Sequence, residues 1–289
     1  MFNAPSHRYL VPHQGAFRIA DCATEPDDRN DKSKDYEEKL AKAALELGNW
    51  QQLLYSRGSQ AVLIVLQALD AAGKDGTIRH VFAHINPCGL HVASFKAPTG
   101  LEATHDFLWR ATPHLPARGH VAVFNRSYYE EVLVVRVHPK FLEAQRQPAK
   151  PTDAFWTARL RAIADYEQHL AEEGTVVLKF WLNVSKREQR RRLLERIDDE
   201  SKHWKFRTED LDERALWDDY IRAYEHCLGV TSRPWAPWYA IPADDKPFAR
   251  WQIAKVINSA FEQLDLSLPK ASPELLAELA QARARLKAE

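Results

Sequence analysis

Apolar residues are arranged along the chain in two patterns. Short continuous runs recur at AVLIVL (61–66), HVASF (91–95), HVAVF (120–124), TVVLKFWL (175–182) and WYAIP (238–242). Runs of this length, bounded by polar or glycine-bearing sequence, predict buried strands. Between and before them the apolar positions recur at three- and four-residue spacing, which predicts helices over about 32–57, 76–86, 100–111, 127–134 and 153–173. Tyr36, Leu40, Ala43, Leu45, Leu47 and Leu54 mark the face of the first. Strands alternating with helices predict an α/β fold, a parallel sheet with helices on both faces. Residues 1–30 show no clear period and read as an irregular arm lying on the body. Residues 185–228 read as two helices joined near Ser201, and 273–287 as a C-terminal helix packed on the outside. Without an internal repeat or low-complexity tract, residues 1–289 read as one domain.

In open parallel sheets, ligands bind beyond the carboxyl ends of the strands. Three of the strands end in QALDAAGKDG, KAPTG and NRSYYEE, which would meet at one edge. The first raises a specific question. A strand running through Gly-Lys into a helix cradles phosphate with its backbone N–H groups and the positive end of the helix dipole. The common phosphate loop reads G-x-x-x-x-G-K-[ST]. Here Ala68 stands in place of the first glycine and Asp75 in place of the Ser or Thr, with Thr77 two positions on. Gly73 and Gly76 allow close approach of an anion, flanked by Ala72, and Lys74 supplies a point charge. Asp70 inside the loop would repel phosphate unless a hard cation lay between them, so Asp70 reads as a ligand for Mg²⁺, or Mn²⁺ in its place. The rival reading is a chance match in an ordinary loop, because short motifs are weak.

Composition narrows the classes. Forty basic and forty acidic residues leave a formal net charge of zero, so no global field attracts nucleic acid and any anion site is local. Cys22, Cys88 and Cys227 are too few and too scattered for a disulfide framework, which predicts a reducing, cytoplasmic setting. The first residues lack a basic stretch followed by an apolar one, and no apolar run approaches the roughly 18 residues of a membrane helix, so neither a signal peptide nor a membrane partner is expected. The twelve histidines show no ligand spacing that would suggest zinc.

The stretch LQALDAAGKDGTIRHVFAHINPCGLHVASFKAPTGLEATHDFLWR, followed by FNRSYYEEVLVVRVHP, closely resembles the family 2 polyphosphate kinases, most of all their class III branch. The resemblance runs from about residue 35 to 265. It implies a P-loop kinase fold with a helical lid, similar to thymidylate kinase. It implies Mg²⁺-dependent, reversible transfer of phosphoryl groups between inorganic polyphosphate and nucleotides, with AMP and ADP as acceptors and ADP and ATP as products. It also implies a homodimer or homotetramer. Asp70 and Lys74 fall on the family's Walker A Asp and Lys. Asn125 stands where class I and II members carry Asp, so an amide would ligate metal or orient a metal-bound water, or serve as a helix N-cap, as Ser127 could. Arg126, at a strand end, calls for an anion. Glu130 suits either a supporting base or a capping-box partner of Ser127. Lys96 and Arg110 would face the acceptor nucleotide, Arg110 gripping its phosphate.

Asp106, four residues before Arg110, is expected to pair with it, or else to help hold Mg²⁺ or the acceptor. Phe107 and Trp109 read as packing residues, and Trp204 as packing or part of a base site. Nine basic residues between 186 and 207 face five acidic ones, so the segment at about 185–208 reads as a basic lid for polyphosphate, with Arg187, Arg191 and Lys202 as phosphate contacts. The same run would also suit a solvated helix face. Two rivals remain: an ATP-dependent nucleotide kinase of thymidylate kinase type, and a non-catalytic protein that binds polyphosphate or nucleotide.

Overall fold

The computed structural model describes residues 2–27, 33–98, 100–148 and 150–289. Residues 1 and 28–30 of the arm read from the sequence lie outside the described residues, as does residue 99 of the KAPTG segment. The five apolar runs are the strands β1 (Ala61–Gln67), β2 (Leu90–Ser94), β3 (Val121–Asn125), β4 (Thr175–Asn183) and β5 (Trp238–Pro242). They form one parallel sheet in the order β2-β3-β1-β4-β5. β1 is central and buried at every position, as a continuous run of Val, Leu and Ile requires.

Successive side chains of a strand point to opposite faces, and two helical layers divide them. Val62, Ile64, Leu66, Val123 and Phe180 share a core with α1 (Ser33–Arg57), α2 (Lys74–Val81) and α8 (Lys246–Glu262). Leu63, Val65, Phe124, Val177 and Trp181 share the other with α4 (Asp153–Glu172) and α7 (Trp217–Thr231). Two tight backbone bonds lay the N-terminal segment against the outer edge of β5: Val11 N–H donates to Trp238 O and Ala240 N–H to Tyr9 O, at 2.9 and 2.8 Å.

Three local expectations change. Residues 100–111 are two 3-10 turns, Gly100–Thr104 and Trp109–His114, because Asp106 Oδ1 accepts from Leu108 and Trp109 N–H and interrupts the run. Residues 127–134 contain the 3-10 turn Tyr128–Glu131, followed by the one-turn α3 (Val134–Val137). The basic segment opens as α5 (Lys186–Asp198), capped by Ser185 Oγ on Glu188 N–H at 3.0 Å, and continues through a 3-10 turn (Glu200–Lys205) into α6 (Glu209–Ala215). The helix at the C-terminus, α9 (Pro273–Ala288), is exposed along its length and leaves Leu275, Leu276, Leu279 and Leu286 in solvent. Among the described residues no helix is long and apolar enough to cross a membrane, and the three cysteines are free.

Candidate active site

The register of the sheet sets the geometry of the site. Leu66 on β1 and Ser94 on β2 both stand level with Asn125 on β3, so three strands end together. Beyond β1 the chain makes the loop 68–73 and enters α2. Gly73 has φ 107°, a left-handed conformation that excludes a side chain cheaply held there. Ala71 and Arg126 also carry positive φ, 61° and 64°, strain that the surrounding bonds hold at a functional loop. Among the described residues the N–H groups of Lys74, Asp75 and Gly76 find no helical acceptor and donate to no other backbone carbonyl. They form the anion cradle of a helix N-terminus. Thr77 N–H and Oγ1 both bond back to Gly73 O, at 3.0 and 3.1 Å, which closes the first turn and leaves Thr77 buried.

Lys74 arches back over its own loop, and Nζ donates to Ala68 O at 2.8 Å and Leu69 O at 3.4 Å. Burial of the amino group, then the nearby Arg126 guanidinium, lowers it to about 8; Asp70, Glu130 and Asp75 oppose the shift. The residue as a whole is only half-buried, so the desolvation lies at the ammonium end. Arg126 holds two carboxylates, Glu130 at 2.9 Å and Asp70 at 2.7 Å, and both hold its charge more firmly than usual, Glu130 most strongly. Asn125 Nδ2 donates to Asp75 Oδ1 at 2.8 Å, which ties β3 to the first turn of α2. Asp70, Arg126 and Glu130 face a common cleft with Gln189, Asp210 and Arg214.

A bolt unseen in the sequence secures the loop. Arg192, 3 % exposed, donates to Ala71 O, Ala72 O, Ala243 O and Asp244 O at 2.6–3.3 Å, while Glu188 accepts from its Nε. Gln189 Nε2 adds a bond to Asp70 O at 3.0 Å. The first turns of α5 are therefore fastened to the phosphate loop. A second buried network joins β4, α4 and the Tyr128–Glu131 turn. Lys179 and Glu167 form a fully buried ion pair, with Tyr128 and Tyr129 hydroxyls both on Glu167 Oε1 at 2.9 Å. The sequence signals for both were weak: one more arginine in a basic run, and one lysine inside an apolar strand.

Other expected residues sit elsewhere. Arg110 is 9 % exposed and donates to Lys96 O at 2.7 Å, with Glu102 at 3.4 Å. It thus holds the Lys96 segment, while the Lys96 side chain is exposed. Asp106 does not pair with Arg110, because its carboxylate caps the turn that follows it. Glu130 does not close a capping box with Ser127: it bonds Arg126, and Ser127 Oγ accepts from Tyr129 N–H. Arg187 pairs with Glu25, Arg191 with Glu188 and Glu195, and Lys202 with Glu195 and Asp199. Trp204 is 78 % exposed, Trp109 stacks on His105 at 4.0 Å, and Phe107 lies under Arg159.

The donor set suits a hard cation such as Mg²⁺. Among the described residues no group of three or more His, Cys, Asp or Glu forms a cage by itself. Mg²⁺ does not need one, since it is commonly held by one or two carboxylates together with substrate phosphates. Asp70 offers Oδ2 outside its bond to Arg126, and the hard oxygen donors fit.

A parallel sheet whose central strand runs through a glycine- and lysine-bearing loop into a helix N-terminus defines the P-loop kinase-like class. Within that class the chain belongs to the polyphosphate kinase 2 family, whose model matches residues 30–268. It is 51% identical over 258 residues to the ADP-polyphosphate phosphotransferase of Rhodopseudomonas palustris, covering 88% of this chain and 89% of that protein. It is 46% identical over 241 residues to the AMP/ADP-polyphosphate phosphotransferase of Meiothermus ruber, covering 83% and 86%. Its structure matches the crystal structure of polyphosphate kinase 2 from Arthrobacter aurescens TC1 with a TM-score of 0.88 and 38% identity over 98% of both chains.

Proposed function

We propose that this chain transfers terminal phosphoryl groups from inorganic polyphosphate to ADP and AMP, forming ATP and ADP, reversibly and with Mg²⁺. The observation that carries this reading is the loop itself, which holds together the open N–H groups of Lys74, Asp75 and Gly76, the Lys74 ammonium and the Asp70 carboxylate. A terminal phosphate seated on those N–H groups meets Lys74 in place of the carbonyls it now bonds. Arg126, bonded to Asp70, meets charge that develops on the transferring group. Asp70, with Asn125, would hold Mg²⁺ together with phosphate oxygens, and the ion would supply neutralisation of the phosphate charge.

The chemistry is one in-line displacement. An oxygen of the nucleotide's terminal phosphate bonds to the terminal phosphorus of the chain while the bond to the bridging oxygen breaks, and the chain leaves one phosphate shorter. The attacking oxygen is already ionised near neutral pH, because the second phosphate pKa is about 6. No strong general base is needed, so Glu130 serves to hold Arg126. Exposed Lys96 suits the acceptor phosphate, and Arg110 positions it through the Lys96 carbonyl. The free cysteines accord with a cytoplasmic setting, and the exposed leucines of α9 offer a face for a dimer or tetramer.

The test separates donor from acceptor. Purified protein is incubated with Mg²⁺ and long-chain polyphosphate, with AMP and ADP in separate tubes, and the nucleotides are resolved by chromatography. ATP from ADP and ADP from AMP, only with polyphosphate present, is the expected result. Product from ADP alone rejects AMP as acceptor; transfer from ATP and none from polyphosphate rejects the reading.

A further inference from the structure

We infer that Gln189 and Arg192 of α5 are positioning residues for phosphoryl transfer: they hold the phosphate loop in a turn that its own sequence does not favour. This rests on the phosphoryl-transfer reading above. Ala72 N–H donates to Leu69 O at 3.4 Å, which closes a turn through Asp70 and Ala71. Ala71 is the third residue of that turn and has φ 61°. Positive φ at this place calls for glycine, which carries no β-carbon to clash. The chain has alanine there, so the turn stores strain that other contacts must hold.

α5 supplies those contacts. The residues it buries are Gln189, Arg192 and Leu193, so its inner face is mostly polar. Burying an amide and a guanidinium is costly unless their polar atoms find partners. Gln189 and Arg192, three residues apart and so on one face, are each 3 % exposed. Gln189 Nε2 donates to Asp70 O at 3.0 Å, and Arg192 Nη1 donates to Ala71 O and Ala72 O at 3.3 and 2.8 Å. Asp70 O and Ala71 O belong to the two peptide units that flank the Ala71 α-carbon. Each unit is planar, so fixing both fixes the φ and ψ between them. Arg192 Nη2 donates to Ala243 O and Asp244 O at 2.6 and 3.0 Å, just past the end of β5, which ties the loop to the sheet. Arg214 on α6 donates from Nη1 to Gln189 Oε1 at 2.7 Å, which leaves the amide nitrogen to Asp70. The held turn carries Asp70 and leads to the open N–H groups of Lys74, Asp75 and Gly76, so its shape sets where the reacting phosphate sits.

The test is a double-mutant cycle with two readouts, in which glycine supplies the conformation that α5 now enforces. Gln189→Leu is made in the parent chain and together with Ala71→Gly. In the parent chain it is expected to lower kcat for polyphosphate-dependent ATP formation about tenfold, the scale of one lost hydrogen bond. KM for ADP should move by less than about twofold, as for an uncoupled site. With Ala71→Gly present, Gln189→Leu should lower kcat by no more than about threefold, and its loss of thermal stability should shrink in step. A packing role alone would lower the melting temperature and leave kcat of the folded protein unchanged, so an unchanged kcat overturns the inference. Equal falls in kcat with and without Ala71→Gly also overturn it. If Gln189→Leu does not fold, Arg192→Lys, which keeps the charge and gives up the fork, goes through the same cycle with the same expected results. If the wild type forms no ATP from polyphosphate, the proposed function fails, which is a different result; the melting cycle then decides by itself whether α5 holds the turn.

Discussion

Asn125 and Asp75, fifty residues apart, are joined by a 2.8 Å hydrogen bond from amide to carboxylate. That bond explains the amide at the end of β3. A carboxylate at 125 would stand against Asp75, and only a cation between them would relieve the repulsion. Asn125→Asp is therefore expected to lower kcat/KM for polyphosphate on the order of tenfold at limiting Mg²⁺, about one pKa unit's worth of interaction. The deficit should narrow as Mg²⁺ is raised. A titration of rate against Mg²⁺ checks this; a deficit independent of the metal contradicts it.

Lys74 sets an alkaline limit. Burial and Arg126 lower its ammonium from 10.5 to about 8, so the free protein loses this cation as pH rises through about 8. The profile of kcat/KM for polyphosphate, which reports the free protein, should fall above pH 8, while bound phosphate holds the proton and moves the fall in kcat to higher pH. Stability moves the other way. The folded group titrates below its unfolded value, so charging it penalises the fold at low pH, and the penalty fades from about pH 8 to 10.5. Lys74→Arg should remove the fall near pH 8 from the kcat/KM profile.

The buried Glu167–Lys179 pair is costly to break from one side. Lys179→Met leaves Glu167 and the two tyrosine hydroxyls without their cation, and is expected to cost about 3–5 kcal/mol in urea unfolding. Lys179→Met combined with Glu167→Leu should recover part of that loss, because the uncompensated charge is gone. A double variant less stable than the single one would contradict this account.

Gly48 is where α1 approaches the turn after α2. A β-carbon there would lie 2.6 Å from His84 O, a backbone atom that cannot swing aside. Gly48→Ala is expected to cost about 1–3 kcal/mol in unfolding. Gly76→Ala meets the mobile end of Arg250 and should cost less. Equal losses at the two sites would contradict the distinction.

How much of this was legible in the chain depends on where the determining contact lies. The five strands were readable because each is a short, mostly apolar run; β1 is buried at every position, whereas the edge strand β2, expected to be buried, is buried only at Ala93. Asp70, Lys74 and Arg126 were readable because strand ends gather at one edge of a parallel sheet. The helix expected at 100–111 fails on one local bond, Asp106 to Leu108 N–H, that spacing does not report. α8 escaped notice because it is buried around most of its circumference and so lacks a clean stripe. Arg192 could not be told from its neighbours in REQRRRLLER, since only the loop carbonyls 120 residues away single it out.

The central claim is that the loop from Asp70 to Thr77 holds the phosphoryl group that moves. Lys74→Ala tests it most directly, assayed as polyphosphate-dependent formation of ATP from ADP, with a melting curve beside it. The account predicts a fall in kcat/KM of about a hundredfold or more, the scale of one lost electrostatic contact to a transition state, with the protein still folded. A folded Lys74→Ala variant within about twofold of wild type would contradict it.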